Sequence, residues 1–197
     1  SPTWAVNSDT ETNIGGYLEF DGTNTKIELI DNTFKANLHN TSFSVAVWFK
    51  CNYESSDTNR YIFEMRNASS STTAQQLLSI GKGSTNKLQF EFYNYDIYSN
   101  TEIVYDVWYH CVCVFDYLHG KRIYLNGELD NKNTQLKSLT MNDTGTNGYI
   151  RIGTKNDSSK FKGNLSDFRI YNKALSCEEV GRIYNEKATI VTTINSI

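Results

Sequence analysis

Between Tyr17 and Tyr171 the sequence breaks into short β-branched and aromatic runs, each closed by a cluster of Asn, Ser, Thr, Gly or Asp. Runs of that kind fit strands, and the clusters between them fit turns. The predicted strands are Tyr17–Phe20, Lys26–Leu29, Phe43–Lys50, Tyr61–Arg66, Leu77–Ile80, Lys87–Phe92, Glu102–Tyr105, Trp108–Phe115, Arg122–Leu125, Tyr149–Gly153 and Gly163–Tyr171. Asp21-Gly22, Gly81-Lys82-Gly83, His119-Gly120, Asn126-Gly127 and Asn147-Gly148 mark turns. Asn126-Gly127 is the strongest hairpin signal, because both residues tolerate the positive φ of a type I′ turn.

Phe43, Val45, Val47 and Phe49 form one face of their strand, and Ser44, Ala46 and Trp48 the other. Both faces carry apolar groups, which suits a central strand in stacked sheets. Trp108–Phe115 behaves alike, and Trp48 and Trp108 are expected to fill the space between the sheets. Ala174–Lys187 changes period: Ser176 and Glu179 make a capping box, and Val180, Ile183 and Tyr184 recur at helical spacing. The fold class read from this is all-β, a two-sheet antiparallel β-sandwich with a short C-terminal helix. No internal repeat suggests a solenoid or propeller. Residues 1–14 read as a connector or edge strand, 15–187 as the domain, and 188–197 as a C-terminal connector.

At 197 residues, with 13% aromatic residues, the chain has bulk enough for one core and is unlike a disordered segment. Net charge is −3 and the basic residues are scattered, which argues against nucleic acid as a partner. No apolar run nears the ~20 residues of a membrane span, and SPTWAVNSDT has no signal-peptide pattern. Cys51, Cys111, Cys113 and Cys177 lack metal-site spacing, and Cys111 and Cys113 share a strand face. They read as buried free thiols, with a Cys51–Cys177 disulfide as the alternative. Asn40, Asn67, Asn142, Asn156 and Asn164 each begin an Asn-x-Ser/Thr triplet, a weak pointer to an extracellular or surface setting.

Four segments, in order, resemble the laminin G-like, concanavalin A-like lectin/glucanase jelly-roll family. Tyr17-Leu18-Glu19-Phe20-Asp21-Gly22 is similar to its opening hairpin, and Phe43-Ser44-Val45-Ala46-Val47-Trp48-Phe49 to its "Phe-Thr-Val-x-Trp" strand. Trp108–Asp116, followed by Ile123-Tyr124-Leu125-Asn126-Gly127, resembles its "Trp-x-His-Val-Ala" strand and following hairpin. Phe161–Ser176, followed by Glu178-Glu179, resembles the closing strand and helix. The resemblance implies a jelly roll that binds glycans, glycoproteins or extracellular proteins, often as a module of a larger surface or secreted chain, in a fold that also hosts some glycosidases; the reading taken is a non-catalytic module that recognises carbohydrate or glycosylated surface partners. The competing reading is a structural, assembly or adhesion module that contacts protein.

Sugar recognition calls for aromatic faces and planar polar groups. The stretch Glu91–Asn100 supplies Tyr93, Tyr95 and Tyr98, with Asn94 and Asp96 as hydrogen-bonding partners. A second candidate stretch supplies Tyr53, Asp57 and Arg60. The resemblance further implies a calcium ion between the opening turn and the closing strand, with Asp21 and Asp167 as ligands. Ser166 stands where relatives carry the first aspartate, so Asp167 is displaced by one position, and Arg169 is its alternative partner. The catalytic relatives' Glu-x-Asp-x-x-Glu pattern is absent: Glu19-Phe20-Asp21 and Glu128-Leu129-Asp130 both lack the final Glu. No nucleophilic grouping involves His39, His110 or His119, so a glycoside hydrolase is the least favoured reading.

Overall fold

The computed structural model describes residues 1–6, 14–29, 37–53, 60–67, 75–141, 148–155 and 159–186. The strands among them are β1 (Thr3–Val6), β2 (Gly16–Asp21), β3 (Ile27–Leu29), β4 (Phe43–Cys51), β5 (Arg60–Arg66), β6 (Leu77–Lys82), β7 (Lys87–Glu91), β8 (Ile97–Glu102), β9 (Trp108–Asp116), β10 (Gly120–Leu125), β11 (Glu128–Asn133), β12 (Tyr149–Ile152), β13 (Thr154–Lys155), β14 (Ser159–Lys160) and β15 (Lys162–Tyr171). A helix, α1 (Cys177–Asn185), follows.

Seven strands form the first sheet, in the order β1-β2-β15-β4-β9-β10-β11. The second runs β13-β14-β5-β6-β7-β8, and β12 joins it by pairing with β5 and β3. Period-two alternation decides what each face meets. Val45, Val47 and Phe49 of β4 and Cys111, Cys113 and Phe115 of β9 point between the sheets. They meet Phe63, Met65, Leu78, Ile80, Leu88 and Phe90 of the second sheet. The opposite face of the first sheet builds a smaller cluster from Ala46, Val112, Val114 and Tyr124 under Leu175, Val180 and Ile183. Ser44 fastens this exit: its Oγ donates to Lys173 O at 2.8 Å and accepts from Leu175 N at 2.9 Å.

The two tryptophans are not in the core between the sheets. They share strand parity with the helix-facing residues, so Trp48 stacks on Tyr184 at 5.5 Å and Trp108 meets Tyr17 edge-on at 5.7 Å on the outer face. The Cys51–Cys177 alternative also fails. Cys51 is buried between the sheets and Cys177 is exposed at the start of α1, on the far side of the first sheet, and all four cysteines are free. Asn126 and Gly127 take φ of 50° and 86°, as their hairpin requires. The strand predicted at Glu102–Tyr105 lies earlier, at β8. Tyr93 and Asn94, with φ of 40° and 70°, turn the chain back beside β7, and strand pairing begins as soon as that turn closes. The polar β11 carries no strand signal of its own and forms because the Asn126-Gly127 turn lays it against β10. The connector 188–197, Asp57, Asn142 and Asn156 lie outside the described residues.

Candidate functional site

The outer face of the second sheet carries polar groups in two adjacent rows across neighbouring strands. Register places Tyr61, Gly81, Gln89 and Tyr98 side by side on β5, β6, β7 and β8. The next row holds Glu64, Ser79 and Glu91. Each of these strands also sends apolar residues inward, so alternation forces the polar set outward.

In the first row, glycine at position 81 is a steric requirement. A Cβ there would sit 2.4 Å from Arg60 O and 2.7 Å from Tyr61 Cα. The missing side chain lets Tyr61 lie across the glycine, where its hydroxyl donates to Gln89 Oε1 at 3.4 Å. Tyr98 is 42% exposed and closes the row. Tyr61, Gln89 and Tyr98 line a pocket of about 510 Å³ together with Lys87 and the β6–β7 turn Gly83-Ser84-Thr85. That volume lies within the ~300–1,000 Å³ of small-molecule sites. Burial pushes both tyrosine hydroxyls above their ordinary value, assisted by Glu91 and Asp96, so both stay protonated donors.

The second row is a braced floor. Glu91 accepts from Ser79 Oγ at 2.6 Å and from Lys155 Nζ, and Lys155 also reaches the Tyr61 hydroxyl at 3.3 Å. Glu64 pairs with Arg66 at 2.6 Å. Glu64 and Glu91 share a face two strands apart, roughly 10 Å at ~4.8 Å per strand, a spacing that would suit a carboxylate pair acting on a glycosidic bond. Yet Glu64 is fully buried and Glu91 is 6% exposed, both engaged as above, so neither is presented to a sugar.

A second pocket of about 540 Å³ opens where β8 and β11 bring the edges of the two sheets together, and Tyr98 and Lys87 line it too. Asp96, Asn100, Asn131 and Lys132 also line it. Asp130 laces its walls, accepting from Asn100 N at 2.5 Å and Thr101 N at 3.1 Å. Asn131 Nδ2 donates to Tyr98 O at 2.8 Å. Burial, helped by Glu91, pushes the Asp96 carboxyl up.

The residues expected to bind are distributed over several places. Tyr98 and Asp96 line these pockets. Tyr93 and Asn94 form the preceding turn, and Tyr95 packs against the core beneath Lys137. Tyr53 is exposed but belongs elsewhere, edge-on to Tyr105 at 5.6 Å. Arg60 is a correction: it is 1% exposed, on the inward side of the β5 bulge near the Tyr105 ring, and offers nothing to a ligand at the surface. Tyr61, Gln89 and Lys87 belong to no motif, and only the alternation Lys87-Leu88-Gln89-Phe90-Glu91 marks their polar face.

The metal pair is the other correction. Asp21 pairs in register with Lys162, and Asp167 lies five residues further along β15 (167 − 162), roughly 16 Å away at ~3.3 Å per residue. Asp21 Oδ1 accepts from Thr23 N, Asn24 N, Thr25 N and Thr25 Oγ1, bonds that hold its carboxyl far below the usual range. The ammonium of Lys160 already caps the turn at Thr23 O. Asp167 sits in a bulge at φ 50° and pairs with Arg169 at 2.6 Å. Asp21 and Asp167 are therefore too far apart to share one ion, and among the described residues no group of three His, Cys, Asp or Glu could hold a metal ion. His110 is buried between Trp48 and Tyr184, and burial pushes its imidazole down to about 4, so it stays neutral. Asn164 is 5% exposed on central strand β15, which removes it as a glycan acceptor in the folded chain.

The sequence model of the concanavalin A-like lectin/glucanases superfamily matches residues 21–181. No curated protein matches the chain significantly. Many solved structures share its fold, among them the following three. Domain 4 of AbnA, a GH43 extracellular arabinanase from Geobacillus stearothermophilus solved with arabinotriose, is 18% identical with a TM-score of 0.67, over 93% of this chain and 81% of that one. The CBM40 of the Ruminococcus gnavus IT-sialidase, bound to α2,3 sialyllactose, is 14% identical with a TM-score of 0.67, over 85% and 96%. The binding domain of botulinum neurotoxin serotype G is 19% identical with a TM-score of 0.65, over 93% of this chain and 46% of that domain.

Proposed function

Because the chain belongs to the concanavalin A-like lectin/glucanases superfamily, we propose that it is a non-catalytic carbohydrate-binding module whose ligand lies in the pocket between Tyr61 and Tyr98. The row Tyr61–Gly81–Gln89–Tyr98 carries the reading. Tyr98 supplies an exposed ring face for sugar C–H groups, and Tyr61 and Gln89, 4% and 8% exposed, line the bottom of the pocket with a hydroxyl and an amide. Ser84, Thr85 and Lys87 border the same space and extend the polar rim.

Two similar folds were solved with bound saccharides, arabinotriose in one and α2,3 sialyllactose in the other. That supports the substrate class. The engagement of Glu64 and Glu91 in the floor supports binding over hydrolysis. The setting proposed is an extracellular or surface protein, in keeping with the extracellular arabinanase whose domain shares the fold.

A glycan array followed by calorimetry on the best hit tests this. Tyr98→Ala is expected to weaken binding by about 1–3 kcal/mol, the range for losing an aromatic hot spot. Gln89→Ala should cost about 1 kcal/mol, the worth of an ordinary hydrogen bond. Full affinity in both variants, with the fold intact, would move the ligand away from this face.

A further inference from the structure

The pocket at the seam of β8 and β11 has a charge pattern that the neutral row lacks. Lys87 and Lys132 both line it, and neither ammonium has a hydrogen bond or an ion pair among the described residues. Other lysines are engaged: Lys26 pairs with Glu28 at 3.0 Å, Lys155 with Glu91, Lys173 with Glu179, and Lys82 donates to Asn86 Oδ1 at 2.6 Å. Asp96 is the carboxylate of this lining, and the buried ammonium of Lys121, which donates to Tyr95 O, faces it from β10. Asp96 is thus partly offset from within, and Lys132 and Lys87, the latter opposite Glu102 in the β7–β8 register, are the cations of the lining.

The walls are held in place before any ligand arrives. Asp130 fastens β8 to β11, and Asn131 fixes the carbonyl of Tyr98. Tyr98 and Lys87 belong to both pockets, so a chain of sugar rings can run from one into the other across the same ring and the same ammonium.

We infer that the seam pocket is an anion subsite, in which Lys87 and Lys132 take the carboxylate or sulfate of an acidic sugar whose neighbour occupies the Tyr61–Tyr98 pocket. The inference rests on the carbohydrate-binding reading and deepens it. A charge-assisted hydrogen bond held by two ammonium groups is stronger than a neutral one and weakens as salt screens it.

The test is a glycan array whose members come in pairs that differ only in the acidic group: sialylated against unsialylated, uronate against its methyl ester, sulfated against desulfated. The acidic member of a pair is expected to bind about tenfold tighter at low salt, with the gap closing as salt rises. The carboxylate and sulfate pairs tell which anion is taken. Lys132→Met and Lys87→Met should bring the acidic-to-neutral ratio near one, with thermal melting confirming that both fold. Equal binding of both members by the wild type would overturn the subsite and leave the Tyr61–Tyr98 pocket standing. The same holds if the ratio survives both substitutions. Binding to no glycan at all would remove both readings together.

Discussion

Lys121 is a cation in a place built for hydrocarbon. It lies 3.5 Å from the Phe92 ring centroid and donates to the carbonyls of Phe90 and Tyr95, so it ties the first sheet to the β7–β8 turn. Burial pushes its ammonium down to about 7 from an ordinary 10.5. Between those values the unfolded chain holds a proton that the folded chain releases, so stability rises with pH. Cys51 acts in the opposite sense: burial pushes its thiol up to about 12 from an ordinary 9.0. Cys113 is raised as well, so above about pH 9 the unfolded chain loses protons that the fold retains, and stability falls. Urea unfolding should therefore find a maximum near pH 9, with a gain of about 1–2 kcal/mol over pH 7. In Lys121→Met that gain should vanish, and an undiminished rise in the variant would assign the slope to another group. Its register opposite Phe115 puts Lys121 on the inward side, but does not fix which ring it faces. That depended on β7 arriving from the other sheet.

The closing helix shows how an element can be legible locally and still find an unexpected place. The Ser176 Oγ accepts from Glu179 N at 3.2 Å and the Glu179 carboxylate accepts from Ser176 N at 3.0 Å, the box that the residue spacing predicts. Ser176→Ala should cost about 1 kcal/mol in urea unfolding. A loss under about 0.3 kcal/mol would mean that packing alone holds the helix, as surface substitutions away from caps usually stay within ~0.5 kcal/mol. The target of this helix could not be read from its own residues. It covers Ala46, Val112 and Val114, so Trp48 turns outward to Tyr184 instead of filling the space between the sheets. The β15 bulge is a similar case. Asp167 and Arg169 pair as their spacing suggests, but the extra residue sends Phe168 inward against Phe63 at 5.1 Å.

At the scale of the molecule, the two sheets are joined at one edge by side chains and backbone rather than by a shared strand. Asp130 of β11 accepts from Asn100 N and Thr101 N of β8, and this tie sets the width of the seam. Asp130→Ala hands two exposed backbone donors to water and should destabilise the fold by about 1 kcal/mol, the net worth of an ordinary hydrogen bond. Amide exchange should quicken at Asn100 and Thr101 first, and the acidic-to-neutral binding ratio should fall with it. Unchanged exchange at those two amides would show that the edge is held by packing of the sheets instead.

Alternation of side chains is a property of consecutive residues, so most of the strands, the Asn126-Gly127 hairpin and the capped helix were legible in the order of the amino acids, while β11, the position of β8 and the outward turn of Trp48 and Trp108 came from pairing and packing. The family was legible too, through four segments in sequence. Which strands become neighbours is a property of register and topology. Tyr61, Gln89 and Tyr98 lie far apart along the chain and become one row only when β5, β6, β7 and β8 pair, while Asp21 and Asp167, joined by a family expectation, are held apart along β15. A binding surface made across strands is therefore written in the pairing of the sheets, which no single stretch of sequence contains.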